Sequence, residues 1–532
     1  MGVDHAVRPA QEDLSEVSSL EKELRSTEVE VGYASEEKRK YLQAGLSSDD
    51  AEFLLSLTPK QQSAIYHKVD VRVVPMLALL YLIAHLDRAN IGNAKIEGIE
   101  RSLGMRGTDY NVAVAIFFIP YILCEVPSNL ILAKFKKPST YIGILVCAWG
   151  LIMTCSGFVQ GLWSLCFTRF LIGLFEAGFF PGSMWLISQW YEPRRTGFRM
   201  SLFYFSSAAS GAFSGLLAAG IAQMDGLGGL EGWRWIFIIE GIVSVIIGAG
   251  CFLLLPDTPS LSSRWLKPDE IRFLNLKFQA TRGSARDELA EKKPRSTPRG
   301  SVVMQVLTDK HLYLQALVFM SNSVPNYGLK FTMPQIIRNM GFTSTNAQLL
   351  TAPPYFLGAF SALFCSFLAD RFTWRMPFIV SCQSLLLVAY SVLFVKAPKI
   401  SDNVPLCYVM VAFACMGVYP IIPNCTAWTV NNLAGSEKRS MGIGLMIAMG
   451  NCGGIVGSFI FLDKEKPRYP SGFGSSLSFA AAGLVAALTL EFFYNRHNKK
   501  YEHMSEEEIR QKYSSAELEK LGDRSPLFKN SL

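Results

Sequence analysis

The sequence predicts an all-α membrane protein of twelve spanning helices arranged as two six-helix bundles. Three observations predict it. Apolar runs recur twelve times, each about 20 residues long, the length that crosses a hydrocarbon layer roughly 30 Å thick. Lys and Arg gather in every second connection between those runs, as they do on the cytoplasmic side of membrane proteins. The runs also fall into two sets of six around a polar stretch, and the sets carry similar punctuation.

The apolar segments of the first set fall at 73–93, 111–134, 139–160, 163–189, 200–223 and 234–255. Those of the second set fall at 311–337, 349–369, 376–395, 404–431, 440–462 and 473–495. The seventh is the most interrupted, by Asn322, Asn326, Lys330 and several prolines. The expected domains follow: a polar tail over 1–70, a first bundle over 71–256, a middle loop over 257–310, a second bundle over 311–495, and a tail over 496–532. The leading tail has no apolar signal-peptide core. The stretch Glu12–Asp50 reads as solvated, with a short amphipathic helix at Ala51–Leu57.

Composition agrees. Half of the 532 residues are hydrophobic and only 18% are charged, and the mean hydropathy is +0.24. A soluble chain of this length carries more charge. The net charge of +7 does not point to nucleic acid. Eleven cysteines stand without a CxxC pair or a His/Cys cluster, so neither a disulfide framework nor a metal site is expected. No cofactor is expected, and the chain is expected to act as a monomer in contact with lipid.

Orientation follows from charge placement. Lys68 and Arg72 precede the first segment; Lys134, Lys136 and Lys137 follow the second; Arg194, Arg195 and Arg199 follow the fourth. Arg371 and Arg375 follow the eighth, Lys438 and Arg439 adjoin the tenth, and Arg496, Lys499 and Lys500 follow the twelfth. With twelve spans all of these share one side, which places both termini in the cytoplasm. The repeat shows in Pro181-Gly-Ser-Met-Trp185 against Pro423-Asn-Cys-Thr-Ala-Trp428. Two similar bundles place a binding site near mid-membrane between them.

Polar residues inside spans are costly and mark pathways, partners or sites. In the first segment Tyr81, His85 and Arg88 share one helical face, and Asp87 points about 100° away from Arg88. A buried arginine suits a two-pronged bond to a carboxylate, so Arg88 is the candidate anion ligand. The alternative is an acidic partner on another helix. Asp87 is either a structural neighbour or a proton carrier, and His85 either packs or lines the cavity. In the fourth segment Arg169, Gly173 and Glu176 share a face, with no cation in Glu176's own turn. Glu176 is therefore a candidate proton carrier or a structural hydrogen-bonding group, and Glu125 is a candidate inter-helix partner. In the second half Asn322, Tyr327, Lys330, Tyr355, Tyr419, Asn424, Trp428 and Asn451 could line a cavity. The expected substrate-binding set is Arg88, Tyr81, His85, Asn322, Tyr327, Trp428 and Asn451. The expected proton-coupling set is Asp87, Glu176 and Glu125.

No GxxxxGK[ST] phosphate loop is present, which argues against an ATP-driven pump. Neither HExxH nor GxSxG occurs, so an enzyme is not expected.

The motifs resemble those of the major facilitator superfamily, and more closely the fungal allantoate-permease branch of its anion:cation symporters. The matching residues are Leu86-Asp87-Arg88-Ala-Asn90-Ile-Gly92, Glu125-Val-Pro127-Ser-Asn129 and Arg169-Phe-Leu-Ile-Gly173-Leu-Phe-Glu176-Ala-Gly-Phe-Phe-Pro181. Two further matches are Gly232-Trp233-Arg234-Trp235-Ile-Phe237-Ile-Ile-Glu240-Gly241 and Leu255-Pro256-Asp257-Thr258-Pro259. The resemblance implies proton-coupled alternating access and small carboxylate substrates such as vitamins, with Asp87, Arg88 and Glu176 in coupling and anion binding. Two positions depart from the pattern. Lys134 stands where the superfamily's first loop motif has an Asp, and only the second half keeps an Asp370-Arg371 version. His85 stands where the branch has a larger apolar or aromatic residue. Gating is expected of Asp370, Arg371 and Arg375. The expected function is proton-coupled import of a carboxylate at a plasma membrane. An exporter of a secreted metabolite and a nutrient-sensing receptor are the alternatives.

Overall fold

The computed structural model describes residues 37–39, 41–42, 45–132, 134–191, 193–290, 299–372, 374–434, 436–514, 517–518 and 521–531. Residues 1–36, which hold most of the expected polar tail, lie outside them. Among the described residues every regular element is a helix.

The long helices follow the apolar segments in order. They are α1 (Pro59–Ile96), α2 (Asp109–Ala115 and Phe118–Leu132), α3 (Pro138–Ser156), α4 (Leu162–Glu176 and Phe179–Trp190), α5 (Pro193–Ile221) and α6 (Gly232–Leu254). The second set is α7 (Lys310–Asn339), α8 (Ala352–Phe372), α9 (Met376–Lys396), α10 (Val404–Asn431), α11 (Ser436–Ile460) and α12 (Pro470–Tyr501). Ten of these positions hold helices long and apolar enough to span a membrane. The other two are α2, which is broken, and α7, which is long but carries Asn322, Asn326 and Lys330. Together they complete the expected twelve.

Two breaks have one physical cause. α2 is interrupted at Ile116–Phe117 and α4 at Ala177–Gly178. Each break begins four residues before a proline, Pro120 and Pro181. A proline ring clashes with the carbonyl of residue i−4 and supplies no N–H to bond it. The break in α4 lies directly after Glu176, so it frees the backbone at the site's edge.

The chain divides into two compact units, Met1–Lys68 with Pro259–Pro294, and Val69–Thr258 with Arg295–Leu532. In the first, a short helix at Ser48–Ser56 is capped by the Ser47 hydroxyl, which accepts from the Asp50 N–H at 3.2 Å. This is the helix expected near Ala51–Leu57. The middle stretch, expected as a loop, contains a helix at Pro268–Ala290, and Arg272 pairs there with Asp50 at 2.7 Å. The second unit holds both six-helix sets. Within it α3 packs on α6, and α7 packs on α11 and α12. α5 meets α8 and α2 meets α11, joining the two sets. Small residues permit the tightest approaches. A methyl group on Gly92 would lie 2.9 Å from the Phe331 carbonyl oxygen of α7, and one on Gly150 would lie 2.8 Å from the Val245 nitrogen of α6.

Candidate functional site: a cationic cavity between the two halves

Charge partners from different helices build the centre of the site. Arg88 of α1 is 6% exposed and Glu176 of α4 is 1% exposed. The Arg88 Nε donates to Glu176 Oε1 at 2.6 Å, and its Nη2 approaches the same oxygen at 2.5 Å. Arg88 Nη1 also donates to the Tyr327 hydroxyl of α7 at 3.3 Å. The guanidinium lies over the Tyr121 and Phe117 rings of α2, 4.5 and 5.1 Å from their centroids. One arginine thus touches three helices beyond its own.

One turn earlier on α1, His85 meets Lys330 of α7, with Nδ1 and Nζ 2.8 Å apart. The pairs His85–Lys330 and Arg88–Tyr327 are successive rungs between α1 and α7, because residues three apart lie on one helical face.

His85, Arg88, Tyr121, Tyr327 and Lys330 line a cavity of about 790 Å³, counted with the open solvent at its mouth, with walls from both halves. Tyr81, His85, Arg88, Tyr327 and Asn451 of the expected binding set line it, as does Lys330. Phe180, Tyr204 and Tyr419 add aromatic wall. The Tyr81 ring stacks on Phe203 at 3.9 Å and meets His85 edge-on at 4.5 Å. The sequence expectation missed Phe180 and Tyr204. Phe180 lies four residues after Glu176, on the same helical face, so periodicity could have found it.

Two expected binding residues lie elsewhere. Asn322 is fully buried off the cavity. On α7 the cavity face is Phe319, Ser323, Asn326, Tyr327 and Lys330, and Asn322 sits about 100° from Ser323. Trp428 lies six residues beyond the last cavity residue of α10, Ile422, or about 9 Å further along the helix. Its indole N–H donates to the Ser531 carbonyl at 2.9 Å, so it anchors the C-terminal segment. Trp428→Phe is therefore expected to cost roughly 2 kcal/mol of stability, from one hydrogen bond and the space left by the smaller ring, and to leave substrate affinity unchanged. Thermal melts and uptake titrations check both parts; an affinity change beyond threefold would return Trp428 to the cavity.

The three acidic candidates part ways. Glu176 holds Arg88. Glu125 shares a hydrogen bond with the cavity residue Asn451. Asp87 is 1% exposed and faces into the first half, where its Oδ2 accepts from the Trp149 indole at 3.1 Å and the Ser244 hydroxyl at 3.0 Å. Its neighbour Asn90 bonds Glu240 of α6. Arg169, on the same face of α4 as Glu176, is 3% exposed with its guanidinium 5.7 Å from the Phe237 ring.

At the face formed by the loops after odd-numbered helices, side chains bridge the two halves. Lys95 at the end of α1 pairs with Asp463 of the α11–α12 loop at 2.9 Å and with Glu100 at 3.3 Å, above the Tyr110 ring. Asn111 donates to the Ser458 carbonyl at 2.5 Å, Gln348 to Glu97 at 3.0 Å, and Arg338 to the Ile96 carbonyl at 2.8 Å. The contacts to Asp463, Ser458, Glu97 and Ile96 each tie one half to the other. Burial alone would raise the Asp463 carboxyl, but the Glu100 hydrogen bond and the charges of Lys95 and Lys466 outweigh it and hold the group at about 2. A depressed carboxylate loses its stabilising charge only as pH falls through that low value, so the Lys95–Asp463 tie persists at pH 5.

On the opposite face two ion pairs each lie within one half. Arg199 of α5 grips Asp70 of α1 at 2.6–2.7 Å. Arg375 bonds Asp370 and donates to Asn424 at 3.2 Å, while Arg371 is exposed. Lys134 is also exposed.

The family model described as Major Facilitator Superfamily matches residues 77–458, and a second match covers 312–527. The chain belongs to the major facilitator superfamily. This superfamily member is 33% identical over 87% of its length to the MFS-type transporter cnsO of Penicillium expansum, covering 90% of that protein. It is 27% identical over 91% of its length to the high-affinity nicotinic acid transporter of Saccharomyces cerevisiae, covering 87% of it. Among solved structures, the proton:xylose symporter XylE bound to 6-bromo-6-deoxy-D-glucose superposes with a TM-score of 0.59. It is 13% identical, over 79% of this chain and 95% of that one. A bacterial homologue of the human lysosomal transporter Spinster, in an inward-facing and occupied conformation, gives 0.58 at 15% identity, over 80% and 96%. These likenesses extend the major facilitator fold to the whole twelve-helix region, and the chain is a multi-pass membrane transporter of a small molecule.

Proposed function

We propose that this transporter is a proton-coupled symporter of a small organic monocarboxylate, flat and vitamin-like or aromatic, of the allantoate-permease kind. One observation carries the reading: two buried cations, Arg88 and Lys330, converge on an aromatic-walled cavity in which Glu176 is ion-paired to Arg88 while the described partner of Lys330 is an imidazole. A buried cation without a carboxylate in direct contact favours an anion. The aromatic walls favour a planar body. The likeness to a nicotinic acid transporter supports the same class.

The proposed cycle is alternating access. Residues 71–256 rock against 311–495, breaking the contacts around Lys95 and Asp463 as the other face closes. Asp370, Arg371 and Arg375 then serve the closing face. Glu176 is the proposed switch: a proton on its carboxyl releases Arg88 and frees the tie between α1 and α4. Glu125, through Asn451, and Asp87, behind the site, are the further acids of this half. The charge of the loops supports cytoplasmic termini, and a plasma membrane and a monomeric working unit complete the proposal.

The test is uptake by cells expressing the chain, with labelled nicotinate, benzoate and acetate at pH 5 and pH 7.5. The expected result is several-fold faster uptake of at least one carboxylate at pH 5. Acid opening of the Lys95–Asp463 tie does not explain such a rise, because Asp463 stays ionised there. Absence of acid-stimulated uptake across a wider carboxylate panel would sink the reading. Glu176→Gln, a permanent mimic of the protonated acid, is expected to lose accumulation and keep exchange. Unchanged accumulation removes Glu176 from the coupling.

A further inference from the structure

The His85–Lys330 rung has a feature that the Arg88–Glu176 pair lacks. Lys330 is 5% exposed and its described partner is an imidazole rather than a carboxylate. An ammonium is donor only. At 2.8 Å it must therefore find the lone pair of His85 Nδ1, which puts the ring hydrogen on Nε2. That Nε2 is buried and has no hydrogen-bond partner among the described residues, in a side chain 7% exposed. Both residues line the cavity.

A second proton on His85 would turn both facing atoms into donors and set two cations against each other. A carboxylate changes this. With the Nζ–Nδ1 hydrogen bond broken and the two nitrogens moved apart, its oxygens accept from both groups, and its charge offsets the added proton. Anion and proton then each favour the other's binding, which is reciprocal linkage.

We infer that the Lys330–His85 rung is the seat of the transported carboxylate, and that His85 takes a proton from solution as the anion docks. The inference rests on the carboxylate reading above and adds where the anion sits and what makes its binding pH-dependent. The proton comes from bulk water and ends on His85 Nδ1; no covalent bond to the substrate forms or breaks. Arg88 stays with Glu176 while the anion docks; the release of that tie by a proton on Glu176 belongs to the later conformational step, not to the anion's seat.

Other ionisable groups face this rung. On α1 they are Tyr81 and Arg88, and on α7 Tyr327. α4 supplies Glu176 behind Arg88, α2 supplies Tyr121 and Glu125, α5 Tyr204 and α10 Tyr419. Glu125 is the rival for the proton, since its carboxyl reaches the cavity through Asn451.

The experiment is equilibrium binding of nicotinate and of benzoate to the purified full chain between pH 5.5 and 7.5. Proton uptake is read by calorimetry in buffers of different ionisation enthalpy. The wild type is expected to take up about one proton per anion and to bind up to about tenfold tighter for each unit fall in pH. His85→Gln keeps a neutral hydrogen-bonding side chain and is expected to bind with little pH dependence and no proton uptake. Lys330→Gln is expected to lose binding, and Lys330→Arg, which restores the charge, to regain it; this pair separates a lost seat from a misfolded protein. Full proton uptake in His85→Gln overturns the inference and leaves the carboxylate reading standing, as does its loss in Glu125→Gln alone. Undiminished affinity in Lys330→Gln overturns the seat. Failure of the wild type to bind either probe at any pH overturns both.

Discussion

The Arg88→Ala variant is expected to reach the membrane and to transport nothing. Arg88 joins α1 to Glu176 on α4 and to Tyr327 on α7, and lies over two rings of α2. Removing it deletes the contact that lets four helices of two halves report on one another. Breaking a buried ion pair by removing one partner costs roughly 3–5 kcal/mol, because the other charge is left buried. Here the cost has an escape. The orphaned Glu176 can take a proton and bury as a neutral acid, so folding survives where switching does not. The double variant Arg88→Ala/Glu176→Gln is accordingly expected to be more stable than Arg88→Ala alone and equally inactive. Surface labelling, thermal melts and uptake measure the three parts. Normal uptake by either variant would take Arg88 out of the transport cycle.

A methyl group at Gly173 is expected to be nearly as damaging by a different route. The ideal Cβ there falls 2.2 Å from the Phe117 carbonyl oxygen, and that oxygen belongs to the break in α2. A backbone atom cannot swing aside as a side-chain tip can. Overpacking typically costs about 1–3 kcal/mol, and here it also pushes on the residues beneath the Arg88 guanidinium. Gly173→Ala is expected to cut both the amount of folded protein and the uptake per molecule. Gly220→Ala on α5, where nothing lies within 4 Å, is expected to change neither. Equal behaviour of the two variants would mean that the α2–α4 contact is not under the constraint the distances imply.

Much of this arrangement was legible from the residues. Apolar length and the spacing of Lys and Arg gave the helix order, because a hydrocarbon layer admits few alternatives. The shared face of Tyr81, His85 and Arg88 was readable from helical periodicity, and so was the turning away of Asp87, which bonds Trp149 and Ser244. What periodicity cannot supply is which helix stands opposite. Glu176 has no cation in its own turn, and only the packing of α1 on α4 gives it Arg88. Lys330 was readable as a residue that needs a reason to be in a membrane, but its partner His85 lies 245 positions away. Trp428 was misplaced because an aromatic near a span end fits a cavity or a tail equally well on sequence alone. The helix breaks at Ile116 and Ala177 were written in Pro120 and Pro181, and the apolar runs concealed them.

The central claim is that a carboxylate and a proton cross together. The most direct measurement puts the purified chain in sealed liposomes containing a pH-sensitive dye, with no imposed gradient, and adds nicotinate or benzoate outside at pH 6. The account predicts that each anion entering brings a proton, seen as internal acidification that depends on the anion, on the protein and on Arg88. Carboxylate entry without acidification beyond that of protein-free liposomes would contradict it.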